Sequence, residues 1–293
     1  MQPSSLSFVF FGTGPLAESV LATLVRNNFI PTLVVTKPDT PQGRHMHLTA
    51  PHIKTWCEMK NIPVYQPETL RELPHNSPLL TKVFDVAIVA SYGKIIPENI
   101  LSFPRHGFLN VHPSLLPLYR GASPIESTLL DGTLTTGVSI IKLDKEMDHG
   151  PILVQSAFMI DTRETAGTME ITCGQLGGEL LSQTLSHYLD GTLVPKEQDH
   201  NKATFCKKIE KSLGEITLET KAEEVQRKFR GLTPWPGLYF FHNHDGKQIR
   251  VKVTLVDLST QIIGGTAKDI ILEVTPEGKS KMDFESFKRG YMG

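Results

Sequence analysis

The sequence predicts an α/β protein in which a parallel-rich sheet with crossover helices is followed by a small β-rich domain. Three observations predict it. Residues 1–195 alternate short apolar runs with helix-period segments, the pattern of parallel strands joined by helical crossovers. A long amphipathic segment from Thr168 to Leu189, ended by Gly191, closes that half. Beyond a polar stretch from Val194 to Thr204, helix-period segments give way to closely spaced strand-like runs. At 293 residues the chain is long enough for one large domain and a smaller one, because single cores stop growing near ~250 residues. The expected division is residues 1–193, a linker over 194–205 and a second domain over 206–293.

Each element has its own warrant. Leu6 to Phe11 is an apolar run that predicts a first strand, and Leu16 to Asn27 follows it with helical spacing. Thr32 to Thr36 and Val86 to Ala90 read as buried strands, and Gly107 to Val111 and Gly137 to Leu143 as further ones. In the closing helix Met169, Ile171, Leu176, Leu180, Leu181, Leu185 and Leu189 supply the apolar stripe. After the linker, Ala222, Val225 and Phe229 predict a short amphipathic helix stopped by Gly231, and Pro234-Trp235-Pro236-Gly237 a rigid turn. Strand-like runs follow at Leu238–His242, Gln248–Val256 and Ile270–Val274.

Composition excludes several classes. Apolar residues make up 39% and charged residues 21%, and no stretch reaches the ~18 apolar residues of a membrane span. The first cation is Arg26, so the charged start of a signal peptide is missing and a cytoplasmic protein without membrane association is expected. Three widely spaced cysteines, Cys57, Cys173 and Cys206, with no Cys-x-x-Cys pair, argue against a disulfide framework or a zinc site. The net charge of -1 is unevenly spread. Residues 1–195 hold 13 Lys and Arg against 17 Asp and Glu, whereas Lys202 to Lys252 holds 11 cations against 6 acids. A basic second domain suits a polyanionic partner, with Lys207, Lys208, Arg227 and Lys228 as candidate phosphate contacts, although a solvated charged face gives the same count.

Two constellations compete for the chemistry. Gly12-Thr13-Gly14-Pro15-Leu16-Ala17 follows a strand and opens a helix, matching a dinucleotide-binding fingerprint, with Asp39 22 residues beyond Ala17. Against that reading, Asp39 comes after Thr36-Lys37-Pro38, where proline already bends the chain away, and a tight strand-to-helix turn explains the glycines. The second constellation opens with Asn110-Val111-His112-Pro113 at the end of a predicted strand, where open α/β sheets place their ligand sites. Residues two apart in an extended segment point the same way, so Asn110 and His112 address one cavity. Asp148 follows 36 residues after His112 in a glycine-containing loop between strand candidates, as a partner acid or as a turn residue.

The residues Asn110 to Pro117, Tyr119-Arg120-Gly121-Ala122-Ser123-Pro124-Ile125, Thr136-Gly137-Val138-Ser139 and Asp148-His149-Gly150 resemble the methionyl-tRNA formyltransferase family. The likeness extends to Phe11-Gly12-Thr13, Thr36 to Arg44, Ala90 to Pro97, Gln198-Asp199, Ala203-Thr204, Arg230 to Gly237 and Glu277 to Met282. It implies a Rossmann-like catalytic domain and an OB-like C-terminal domain, with 10-formyltetrahydrofolate as co-substrate, no metal, and initiator methionyl-tRNA as acceptor. The resemblance also implies that Asn110, His112 and Asp148 are catalytic and that Ser114, Leu115, Leu116 and Pro117 contact the folate. It further implies that Tyr92, Gly93, Lys94, Ile95 and Ile96 line the pterin pocket, and that the loop Lys37 to Leu48 enters the acceptor end of the tRNA. In that loop the family's cationic run is reduced to Gly43-Arg44-His45-Met46-His47, so Arg44, His45 and His47 are its candidate contacts. The span from Val256 to Glu277 is shorter than the family's barrel normally has.

Formyl transfer needs a neutral amine to attack the formyl carbon, an oxyanion to be held, one proton supplied and one removed. Asn110 and a protonated His112 are donors for the oxyanion or the leaving nitrogen, and Asp148 is the acid that would accompany the imidazolium. Formyl transfer to an amino sugar or a glycinamide nucleotide uses the same triad, and a non-catalytic RNA-binding protein is the alternative from another class.

Overall fold

The structure is a computed structural model and describes residues 6–42, 47–258 and 264–292. Its main sheet has seven strands in the spatial order Ile152–Met159, Thr135–Lys142, Phe108–His112, Val86–Ala90, Phe8–Gly12, Leu33–Val35 and Val64–Tyr65. The four pairings from Phe108–His112 to Val64–Tyr65 are parallel, and Thr135–Lys142 joins antiparallel, with His112 opposite Ser139. Strands Phe8–Gly12 and Val86–Ala90 are buried at every position, which is why they read as continuous apolar runs without alternation. Around them Val9, Phe11, Leu33, Ala87, Tyr92 and Phe108 form a core cluster.

Two helices anchor the sheet. Pro15–Arg26 starts at Pro15, whose fixed φ suits a first helical turn, directly after Gly14 at φ 87°. Ala166–Leu189 is the long closing helix. Gly177 is where it meets the strand of Asn110 and His112: a Cβ there would lie 2.4 Å from Val111 Cγ1. No larger residue permits that approach.

The chain divides into two compact units, and the second is not collinear with the sequence. It comprises Ala122–Thr136, Met159–Met169 and Cys206–Gly293; the first holds the remainder. The second unit carries a four-stranded antiparallel sheet, Leu238–His244, Lys247–Val256, Ile271–Pro276 and Met282–Asp283, paired in that order. Asp245 and Gly246, both at positive φ, make the two-residue turn of its first hairpin, matching the right-handed twist of the strands. Helix Ala222–Leu232 buries Ala222, Val225, Phe229 and Leu232 against Phe240, Val253, Val274 and Phe287. Glu223 and Glu224 in its first turn and Arg230 in its last complement the helix dipole.

The expected stop at Gly231 is not observed, since the helix runs on to Leu232. Gly231 serves instead as a contact point for helix Pro124–Leu130: a Cβ would lie 3.0 Å from Leu130 Cγ and 3.1 Å from the Glu126 carbonyl oxygen. A glycine near a helix end reads as a cap in sequence, and only the neighbour reveals its use as clearance. Among the described residues, no helix is long and apolar enough to cross a membrane.

Candidate functional site

Asn110 and His112 lie two apart on Phe108–His112 and occupy its carboxyl end. Asn110 is half-buried, and His112 is 3% exposed. The imidazole is held at both nitrogens. Nε2 lies 3.0 Å from the Tyr119 carbonyl, and Nδ1 lies 3.5 Å from Asp148 Oδ1. A carbonyl only accepts, so Nε2 carries hydrogen, and a second proton on Nδ1 makes the ring an imidazolium facing a carboxylate. The Nδ1 contact is longer than the ~2.7–2.9 Å of a closed charge-assisted bond, so this nitrogen is the more loosely held of the two.

Asp148 reaches that position through a left-handed backbone, φ 50°. Its other carboxylate oxygen accepts from the Gly121 amide at 2.8 Å. The segment Tyr119–Gly121 therefore touches both catalytic candidates, His112 through a carbonyl and Asp148 through an amide. Tyr119 itself sits at φ 57°, a conformation that costs a bulky residue about 1–3 kcal/mol and persists only where the surroundings over-determine it. Those surroundings include Thr204: its hydroxyl accepts from the Tyr119 amide at 2.8 Å, and its carbonyl from the Arg120 amide at 2.9 Å.

The loop after His112 is shaped by a buried polar knot. Ser114 is fully buried and its hydroxyl donates to the Leu118 carbonyl at 2.6 Å. Ser139 donates to the Ser114 carbonyl at 2.6 Å and accepts from the Leu116 amide and from Gln155 Nε2. Gln155 also donates to the Leu116 carbonyl. These hydrogen bonds tie the Ser114 and Leu116 backbone and so fix the loop of Leu115, Leu116 and Pro117 that follows His112, with Leu115 and Pro117 part-exposed. The Leu116–Pro117 peptide is cis.

The Tyr92–Ile96 segment lies beyond the end of Val86–Ala90, the neighbouring strand. Tyr92 packs edge-on against Phe11 at 5.4 Å, and its buried hydroxyl lacks a hydrogen-bond partner. Burial pushes its phenol up to about 12. Lys94 donates to the Glu68 carbonyl at 2.9 Å, Ile95 is exposed and Ile96 half-buried. The Tyr92 side chain packs within an apolar cluster that includes Phe11, Val89 and Phe108, and its hydroxyl is left without a partner there. Among the described residues no cluster of three or more metal-ligating side chains occurs.

Asp39, the acid of the competing fingerprint, is bound by Lys54 at 2.8 Å and by Gln66 at 2.7 Å. Those two hydrogen bonds, Lys54's first, hold its carboxyl below the usual range. Arg44 and His45 lie outside the described residues, and His47 is exposed. Lys207, Lys208 and Arg227 are exposed, whereas Lys228 is tied to Glu224 at 3.1 Å and to the Glu215 carbonyl at 3.3 Å.

Tyr119, Gly121, Thr204 and Gln198 join this site although their residue types point to no role in it. All of them act through, or upon, backbone atoms, which residue type does not disclose. The only signal is their presence in segments that share the family's pattern.

Comparison with known proteins gives the same frame. A family model described as formyl transferase matches residues 6–185, and one described as formyl transferase, C-terminal domain, matches residues 208–270. The methionyl-tRNA formyltransferase of Chlamydia abortus is 35% identical over 99% of this chain and 96% of its own length. That of Lachnospira eligens is 34% identical over 96% of each. Among solved structures, an N-formyltransferase from Helicobacter canadensis in complex with folinic acid and dTDP-3-aminofucose superposes with a TM-score of 0.59 at 17% identity, covering 85% of this chain and 88% of that one. At that identity the likeness speaks for the fold. By its matched domains and its full-length relatives, this chain belongs to the methionyl-tRNA formyltransferase family of formyl transferases.

Proposed function

We propose that this protein transfers a formyl group from 10-formyltetrahydrofolate to the amino group of initiator methionyl-tRNA in the cytoplasm, supporting translation initiation. The observation that carries this reading is the convergence of His112 and Asp148 on the Tyr119–Gly121 segment, at the strand end that also presents Asn110.

Asn110 donates its amide to the oxygen on which negative charge develops, the role with the greatest leverage on rate. His112, with Nε2–H committed to Tyr119, holds its Nδ1–H only loosely against Asp148 and supplies that proton to the leaving nitrogen. Asp148, already holding the Gly121 amide with one oxygen, uses the other to pair with the imidazolium and to accept the amine's proton through solvent. Ser114 to Pro117 and Tyr92 to Ile96 form the folate-facing walls, with the Tyr92 hydroxyl meeting a polar edge of the pterin. Residues 1–193 carry this chemistry. Residues 206–293, an OB-like module beyond a 194–205 linker, hold tRNA, with Lys207, Lys208 and Arg227 as phosphate contacts alongside Arg44, His45 and His47 of the 37–48 loop.

The test is formyl transfer from 10-formyltetrahydrofolate to charged initiator tRNA. Asn110→Ala and His112→Ala are each expected to lower kcat by at least ~10²-fold while folate binding survives, because these donors act mainly in the transition state. Near-normal turnover of either variant removes this mechanism, and preference for an amino sugar over tRNA removes the acceptor assignment.

A further inference from the structure

Gln198 is 5% exposed, and all of its amide hydrogen-bonding capacity is used. Its Nε2 donates to the Asp148 carbonyl at 2.9 Å and to the Gly150 carbonyl at 2.7 Å. Its Oε1 accepts from Arg120 Nη2 at 2.6 Å and from Arg120 Nε at 3.2 Å. Two carbonyls on one side and a guanidinium on the other leave one orientation for the amide. Arg120 is 4% exposed and also donates through Nη2 to His200 Nδ1 at 2.9 Å. The His200 ring stacks on His149 at 4.0 Å with 1° between planes, and His149 Nδ1 lies 2.7 Å from Asp144 Oδ2. The loop containing Asp148 is thus held at residues 148, 149 and 150 by a segment fifty residues downstream, while the residue after Arg120 holds the carboxylate itself.

We infer that Gln198, oriented by Arg120, is a positioning residue for formyl transfer: it sets the left-handed backbone of Asp148 and so aims its carboxylate at His112. The inference deepens the functional reading above and rests on Asp148 being catalytic. The 3.5 Å gap between Asp148 and His112 is the quantity the clamp controls, and a misplacement of about 1 Å is worth up to ~10²-fold in rate. A glutamine is suited to the task where an acid is not. A carboxylate keeps Arg120 but turns acceptor against two carbonyl oxygens.

The experiment is a double-mutant cycle on the whole enzyme, assayed with 10-formyltetrahydrofolate and methionyl-tRNA. Gln198→Glu is expected to lower kcat by about 10- to 100-fold, with KM for tRNA changed less than about threefold. Gln198→Met, of similar length but without donors, reports the same loss if the acid prevents folding. In an Asp148→Asn background either change should add almost nothing, since the group being aimed is already gone. Full kcat in both Gln198 variants, or losses that multiply in the Asp148→Asn background, overturns the positioning role while leaving the site intact. An Asp148→Asn enzyme that turns over normally overturns the catalytic reading and this inference with it.

Discussion

The Tyr92 hydroxyl is the sharpest single-residue case, because one atom is asked to be bad for the fold and good for the ligand. A buried hydroxyl without a partner costs about 1–3 kcal/mol. Tyr92→Phe is therefore expected to raise stability by about 1 kcal/mol in urea unfolding while weakening folate binding. Both changes in the same direction would discard the pocket assignment. The phenol, pushed up to about 12 by burial, lies above its ordinary value, so the fold resists its ionisation: this group leaves stability unchanged below pH ~10 and lowers it as pH rises from there towards 12. The Phe variant should accordingly lose less stability across that alkaline range. At this scale the sequence singled out Asn110, His112 and Asp148, the residues proposed to do the chemistry, because their types are chemically distinctive. It placed Tyr119, Gly121 and Gln198 in segments that share the family's pattern but assigned them no role, because their contribution is a carbonyl, an amide and a pair of bonds to carbonyls.

Among elements, the strands were legible wherever both faces are buried, as in Val86–Ala90, which matches its expected bounds residue for residue. Short pairs such as Thr40–Gln42 with His47–Thr49 escaped, because three residues without an apolar pattern give no period to read. Glycines in helices were the most misleading signal, as Gly231 shows. Gly177 makes the point testable. Helix propensity alone favours Gly177→Ala by about 1 kcal/mol. The overpacking against Val111, at 2.4 Å, costs about 1–3 kcal/mol and pushes on the residue between Asn110 and His112. Gly177→Ala should therefore lower both the melting temperature and kcat. A variant more stable than the parent would show that the helix gives way instead of the strand.

For the whole molecule, Ala122–Thr136 and Met159–Met169 join the second unit through neighbours remote in sequence, which a reading along the chain does not register. The charge asymmetry was readable at once, and its prediction concerns tRNA. Charge reversal at Lys207, Lys208 or Arg227 should raise KM for tRNA and flatten its salt dependence by roughly one unit of log–log slope for each phosphate-binding cation removed, with folate binding unchanged. Lys228→Glu, which breaks the bonds to Glu224 and the Glu215 carbonyl, should instead act mainly on stability. Equal effects of Lys228 and Arg227 on the salt slope would mean that the basic surface does not discriminate between exposed and committed cations. The interleaving of the two units also has a consequence during synthesis. Helix Pro124–Leu130 leaves the ribosome long before helix Ala222–Leu232, against which Gly231 lets it pack. At roughly 5–20 residues per second, its apolar face waits several seconds for a partner still untranslated. The nascent chain is thus most open to chaperone capture while His112 is already made but the Cys206–Gly293 part of its second unit is not.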